Sequence, residues 1–356
     1  MVGRAHGFVA RCKEDDAFPD FLNYHCIIHQ QALCAKMLNM KDIMDVATKI
    51  ACSIRARPLL FRAHLEQMDS DHLELLLHTD VRWLSRGRFL QRFRELCPEI
   101  REFFHSTKHA ENSQLSDEQW LLDLAFLTDL TNMLNELNLN LQGKNKNVVN
   151  MISSVNAFRN KLQHLSSKMQ RRDLGSFPNL ASELENQQRD SAQLDIERYK
   201  EQINVCLSEF DKRFQDFALL EPVATFMCNP FRETTDIGAV ASRIASLFHM
   251  NTLELEDEIL TLQADIQLKS MAQEPFWNLL REETYPNMRK CATFLTALFG
   301  STYLCESAFS HMKCIKSKYR STMTDDHLEA CMRLTLSSYS PNYENLTDSL
   351  QCKSSQ

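Results

Sequence analysis

Glycine is scarce in this chain, with seven residues in 356, about a third of average usage. Turn-rich β architectures draw heavily on glycine for positive-φ turns, so its shortage excludes them and favours long helices. No apolar run reaches the roughly 18 residues of a bilayer span, and no secretory-signal pattern is present. A membrane partner is therefore not expected. The twelve cysteines show no tight pairing pattern, and reduced thiols in the cytosol or nucleus are the expected state. There is no βαβ rhythm, internal repeat or low-complexity tract. A net charge of −7 argues against a surface built wholly for nucleic acid, leaving only local basic strips.

What the chain does have is apolar residues at helical spacing. Ser116-Asp117-Glu118-Gln119 reads as a capping box, followed by Leu121, Leu124, Leu127, Leu130, Leu134, Leu137 and Leu141, with Gly143 as the stop. A second helix is predicted from Asn147 to about Arg171. A third carries Tyr199, Ile203, Cys206, Phe210, Phe214 and Phe217. Three such stripes predict an antiparallel bundle. Upstream, Met40 to Ile54 and Phe61 to Leu77 read as helices, and Arg82-Trp83-Leu84 opens another that reaches Leu96. The short apolar run Tyr24–His29 reads as a buried strand end. Glu221 to Asp236, with Pro222 and Pro230, reads as a connector.

The stretch from Tyr285 to Leu336 has a distinct order. Gly300-Ser301-Thr302 makes a small-residue turn, Glu306 to Ser310 reads Glu-Ser-Ala-Phe-Ser, Lys313 to Arg320 is a basic linker, and an amphipathic helix follows from Thr324. If Ser301 or Thr302 caps the helix, Leu304, Cys305, Ala308, Phe309 and Met312 form its apolar arc. Glu306 and Ser310 then face the other way, and Phe309 anchors the helix.

This order resembles the C-terminal signature of the hobo–Activator (hAT) superfamily of DNA transposases. The likeness extends over nearly all 356 residues and to vertebrate host proteins with transposase-derived tails, of BED zinc-finger or TFII-I-repeat type. It implies a mainly α fold in which a truncated RNase H-like α/β core is interrupted by an all-helical insertion domain. The expected division is a partial RNase H-like remnant at 1–88, the helical insertion at 89–284, a C-terminal dimerisation region at 285–340 and a disordered tail at 341–356. Two or three short strands are expected near residues 1–30.

The resemblance also implies roles for particular residues. Glu306 corresponds to the third carboxylate of a metal-binding triad. The segment from Met1 resembles the one just after the second aspartate, so both aspartates are expected upstream and the ancestral Mg or Mn site is expected to be incomplete. No cofactor and no small-molecule substrate are expected, and the chain is read as a catalytically inactive protein acting through dimerisation. Two other readings stay open: an active transposase whose N-terminal exons lie outside this sequence, and a nucleic-acid or chromatin-binding regulator. Cys26 and His29 match a C-x-x-H motif of the family, which with no second knuckle downstream reads as a packed pair rather than a metal site. Arg82 and Trp83 match a pair near the family's active site, where the indole stacks on a flipped base. A partly buried tryptophan opening the insertion is the reading taken here. Arg86 and Arg88, with Arg92 and Arg94 beyond them, and Lys313, Lys316, Lys318 and Arg320 form two basic strips that suit either phosphates or a solvated helix face. Leu328, Cys331 and Met332 are the expected dimer contacts. The likeness implies a homo-oligomer, with DNA as a weak partner of the isolated chain, placed in the nucleus rather than the cytoplasm.

Overall fold

The computed structural model describes residues 7–15, 17, 18, 25–38, 40–76, 83–107, 112–143, 146–232, 236–270, 276–298, 300–317, 320, 322–337, 340, 342, 344 and 347. Among them every regular element is helical. The α-helices are α1 (Phe8–Glu14), α2 (Ile27–Lys36), α3 (Lys41–Arg55), α4 (Pro58–Gln67), α5 (Trp83–Glu95), α6 (Cys97–Thr107), α7 (Asn112–Leu115), α8 (Glu118–Leu141) and α9 (Val148–Gln170). They continue with α10 (Pro178–Asn186), α11 (Ile196–Arg213), α12 (Phe217–Cys228), α13 (Ile237–Phe248), α14 (Thr252–Ala264), α15 (Ile266–Ser270), α16 (Pro286–Ala297), α17 (Tyr303–Ile315) and α18 (Asp325–Leu336). The chain divides into two compact units, residues 1–301 and 302–356, so the break falls inside the Tyr285–Leu336 stretch.

The first unit is organised by α8. From Trp120 to Thr131 every residue of this helix is buried, which is the pattern of a helix at the centre of a core rather than on its surface. Helices α2, α3, α5, α9 and α10 pack on it, so the expected three-helix bundle is the inner part of a larger cluster. Helix α9 runs antiparallel to α11, as its cross-links show: Arg159 pairs with Asp211, Ser166 donates to Asn204 at 2.8 Å, and Lys200 donates to Gln170. Tilted aromatic pairs Phe126–Tyr199 and Phe158–Phe210 fill the space between α8, α9 and α11.

A helix buried all round must satisfy its polar side chains internally. Asp123, 2% exposed, accepts from Arg198 Nε at 3.0 Å and Nη2 at 2.6 Å, and from the Tyr199 hydroxyl at 3.0 Å. Asn138 donates to Gln31 at 2.6 Å, and Gln31 in turn donates to the Leu134 carbonyl. Asp129 serves a neighbouring helix. Its Oδ1 accepts from the backbone N–H of Asn179 at 3.2 Å and its Oδ2 from that of Leu180 at 3.0 Å, so it caps α10 from outside.

A second apolar cluster joins α12, α13, α14 and α16 around Phe226, Ile244, Ile259 and Met288. The same device recurs there. Glu258 of α14, 8% exposed, accepts from the N–H of Asn287 at 3.0 Å and that of Met288 at 2.8 Å. Trp277 donates its indole N–H to the Met227 carbonyl at 3.0 Å.

Several local expectations are corrected. No strand occurs among the described residues before position 30; Ile27 instead opens α2, with Ile27, Gln31, Cys34 and Ala35 buried at helical spacing. An apolar run this short cannot separate strand from helix by itself. Residues 1–6 and 19–24 lie outside the described residues. The cap of α8 is Asp117, which accepts from the N–H of Gln119 and of Trp120, not Ser116. Helix α4 stops at Gln67, with Asp69 at φ 53°, short of Leu77. The supposed connector at Glu221–Asp236 begins inside α12, where Val223, Ala224, Phe226 and Met227 are buried. Pro222 sits on its exposed side, removing one backbone bond without breaking the helix.

Burial pushes the Asp129 carboxyl above its ordinary value of 3.8, against the opposing pull of the Leu180 and Asn179 hydrogen bonds. Between the ordinary and the raised value the folded chain holds a proton that the unfolded chain releases, so this group's contribution to stability falls as pH rises through that window. Asp129→Asn is expected to flatten that part of the stability–pH curve relative to wild type, measured by urea unfolding. Asp129→Ala, which leaves two buried N–H groups unpaired, is expected to cost about 2–3 kcal/mol. A loss below about 0.5 kcal/mol would remove Asp129 as the cap of α10.

Candidate functional site

Glu306 lies in the first turn of α17 and is exposed. Thr302 occupies the N-cap position but its hydroxyl caps no backbone N–H. Instead it donates to Glu306 Oε1 at 2.8 Å, while Ser310 donates to the Glu306 carbonyl at 2.8 Å. Glu306 and Ser310 thus share one side of the helix, as its wheel predicts. The carboxylate, near the helix N-terminus, is favoured there by the helix dipole. Hard divalent cations require several oxygen ligands, and among the described residues no group of three or more His, Cys, Asp or Glu side chains is assembled.

The apolar arc of α17 differs from expectation in one respect. Phe309, expected to anchor the helix, is 59% exposed, as are Leu304 at 44% and Leu334 of α18 at 57%. Helices α17 and α18 pack together, and Lys316 approaches Asp325 across the turn between them at 3.7 Å. Thr324 caps α18 by accepting from His327 N–H. Even so, neither helix has a buried residue. Leu328, Cys331 and Met332 share one side of α18 and are half-buried. Lys313, Lys316 and Arg320 are exposed; Lys318 lies outside the described residues.

The other motif residues are placed in the first unit. Cys26 is the half-buried N-cap of α2, and His29, one turn in, is exposed. The nearby Cys34 is fully buried, and burial pushes its thiol up to about 12. It therefore faces the core as a thiol and does not join the other two. Trp83 begins α5, but its side chain and Arg82 lie outside the described residues. Helix α5 turns Phe89, Leu90 and Phe93 fully inward. Of its arginines, Arg92 donates to the Glu74 carbonyl at 3.3 Å and Arg94 to the Asn179 carbonyl at 2.9 Å. Arg94 thus fastens α5 to α10 and Arg92 ties α5 to the segment before it, so the first basic strip is reduced to Arg88, which is exposed, and Arg86, which is half-buried.

One position weighs more than its sequence signal suggested. The carbonyl of buried Gly300 accepts from the Ile27 N–H at 3.0 Å, supplying a partner to the first amide of α2. A Cβ there would come within 2.2 Å of Met151 Sδ and 3.4 Å of Ile27 Cδ1. Glycine is required at Gly300 by this close approach of backbone to a packed methionine.

These placements can be set beside known proteins. A family described as hAT family C-terminal dimerisation region matches residues 256–335. Over those residues the chain is similar to the hAT dimerisation region. A second family, described as FAM200/GTF2IRD2 helical domain, matches residues 25–170, from just before α2 through α9. The chain is similar to General transcription factor II-I repeat domain-containing protein 2 of Bos taurus, 32% identical over 94% of this chain and 34% of that protein. It is also similar to the Mus musculus protein of the same name, 33% identical over 84% of this chain and 30% of that protein. The chain thus spans about a third of the length of these relatives. No solved structure matches it. The matched residues run from within α14 of the first unit through α16 to α17 and α18 of the second. No helix among the described residues is long and apolar enough to cross a membrane.

Gly300→Ala is expected to lower the melting temperature, because Met151 is 2% exposed and has little room to yield. Met151→Ala alone is expected to cost about 2–4 kcal/mol. The double substitution should cost clearly less than the two together, since each relieves the other; additive losses would show that the predicted clash does not exist.

Proposed function

We propose that this chain is domesticated hAT-transposase sequence that acts through protein association and does not cut DNA by itself. The observation that carries the reading is the pairing of a dimerisation-region match with two terminal helices that bury nothing of their own. An apolar arc left open on a compact pair of helices suits a surface completed by another chain. In this reading α17 and α18 meet their counterparts in a second copy, with Leu328, Cys331 and Met332 at the centre and Phe309 and Leu334 around them. Residues 89–284 are read as the helical insertion of an RNase H-like transposase core. The relatives' name, a transcription-factor repeat protein, supports a nuclear location.

Catalytic silence is supported by chemistry rather than by likeness alone. A two-metal nuclease site holds its ions about 3.5–4 Å apart between several carboxylates. Glu306 stands exposed, and its Oε1 is engaged by the Thr302 hydroxyl. A second reading is favoured by the exposed Lys313, Lys316 and Arg320: the same helices contact phosphate, with DNA held by the dimer rather than by one chain.

Light scattering of the purified chain is expected to give a dimer, and Leu328→Asp with Met332→Asp to weaken it more than about tenfold with an unchanged far-UV spectrum. A monomer at every concentration, indifferent to the two substitutions, would refute association through α18. Incubated with Mn²⁺ and terminal-inverted-repeat DNA, the chain is expected to leave the DNA intact. Nicking that disappears in Glu306→Gln would overturn the claim of inactivity. Binding of the same DNA that is lost in Lys313→Ala with Lys316→Ala, and falls with salt, would establish the second reading.

A further inference from the structure

A cavity of about 770 Å³ opens where the junction of α5 and α6, the start of α8 and the C-terminal half of α10 meet. Its volume lies within the range of small-molecule sites, roughly 300–1,000 Å³. Part of its lining is apolar, with Cys97, Leu121 and Leu124 buried. The rest is polar and carries charge of both signs, some of it already used by the fold. Glu95 has His72 Nε2 at 2.9 Å from one carboxylate oxygen and accepts from Gln91 at 2.9 Å on the other. Glu118 Oε2 faces Arg189 Nη1 at 3.7 Å.

Four other groups of the lining keep hydrogen-bonding capacity. Arg94 donates from Nη2 to the Asn179 carbonyl, but its Nε is buried and has no partner. Gln187 donates from its amide to the Glu118 carbonyl and to Glu183 Oε1, both at 3.0 Å, while its own Oε1 is buried and has no partner. Arg101 donates from Nε to the Leu115 carbonyl at 3.1 Å, which leaves its two terminal nitrogens. Glu183 is left with Oε2. Among the described residues Arg94, Arg101 and Glu183 enter no ion pair. A buried donor or acceptor without a partner costs stability, and native folds supply partners to nearly all such groups. The unspent inventory is thus a cation and an N–H from α5 and α6, against an anion and a carbonyl oxygen from the end of α10.

We propose that this cavity binds a zwitterionic amino acid or short peptide with an aliphatic side chain. The ligand's carboxylate pairs with Arg101 and accepts from Arg94 Nε–H. Its ammonium pairs with Glu183 and donates to Gln187 Oε1, and its side chain lies on Leu121 and Leu124. A ligand with a carboxylate alone meets the arginines but leaves Glu183 unanswered beside it, and one with an ammonium alone leaves Arg101 so. Only a ligand with both charges answers all four groups, which sets its class by repulsion as well as attraction. The ligand is held and not converted. Thiolate is the reactive form of cysteine, and burial pushes the Cys97 thiol up to about 12, so it stays protonated. The site lies wholly in the first unit and is independent of association through α18.

The test is titration calorimetry of the full chain with leucine and with the dipeptide Leu-Leu, at least one of which is expected to bind at millimolar concentration or below. Acetylating the ammonium of the tighter probe, or amidating its carboxylate, is expected to weaken binding by about tenfold or more in each case. Arg101→Gln is expected to reduce the zwitterion to the level of its amide and to leave the amide unchanged. Glu183→Gln, which can still accept from Gln187, is expected to reduce it to the level of the acetylated form and to leave that form unchanged. Arg101 is exposed and Glu183 half-buried, and unchanged melting curves check that the fold is kept. Bound probe is also expected to slow alkylation of Cys97, followed at that residue by mass spectrometry. No binding of either zwitterion would mean a cavity filled by water alone and would overturn the proposal. Blocked forms that bind as tightly as the zwitterion, or two variants that discriminate as the parent chain does, would overturn it too.

Discussion

Two helix starts in this protein share a peculiarity: α10 begins after Phe177 with Pro178-Asn179-Leu180, and α16 after Tyr285 with Pro286-Asn287-Met288. In both, the N-cap position is held by a buried aromatic that has no acceptor for the first free N–H groups. A buried helix end without partners is costly, and in both cases a carboxylate from another helix supplies them. Asp129 reaches from α8 and Glu258 from α14. Each acid sits beside a different apolar cluster, so in each cluster a carboxylate holds the start of a neighbouring helix. The aromatic gains burial by surrendering the cap, and the acid is tolerated in the core because it is fully used.

The arrangement around α8 follows from the same constraint. From Trp120 to Thr131 every residue of α8 is buried, where an unpaired polar group is costly. Asp123, Asp129 and Asn138 each point at a different neighbour, so the polar residues of α8 determine which helices surround it while the leucines determine how closely. Arg94 adds to the pattern from α5 by donating to the carbonyl of the residue from whose N–H Asp129 accepts, so that both backbone polar groups of Asn179 are held.

Much of the helical body was legible in the chain, because periodicity is a local property and α8, α9 and α11 follow it. The start of α8 was displaced by one residue since Ser116 and Asp117 are both good caps by type, and only geometry selects the aspartate. Helix α12 was missed because Pro222 was read as a break, whereas it sits on the exposed side where one missing bond is tolerated. The strand expectation at Tyr24–His29 rested on a run too short to carry a period. Around the candidate site, Glu306 was legible from its motif, while its bond to Thr302 was visible only as an i, i+4 spacing. The roles of Arg92 and Arg94 were illegible: an arginine strip looks the same whether it faces phosphate or the carbonyls of neighbouring segments. Distant caps such as Asp129 and Glu258 leave no local trace at all, since partner and acid lie on different helices.

The bond from Gly300 to Ile27 joins the end of the first unit to its beginning. Chains emerge from the ribosome in one direction, and early segments collapse before later ones exist. The first amide of α2 therefore meets its native partner only after nearly the whole helical body has been made. Helices α8 and α9, and with them Met151, precede Gly300 in the chain. Closure at Gly300 is then a late, long-range event, one that reports completion of the first unit and leaves α17 to begin just beyond the point of closure.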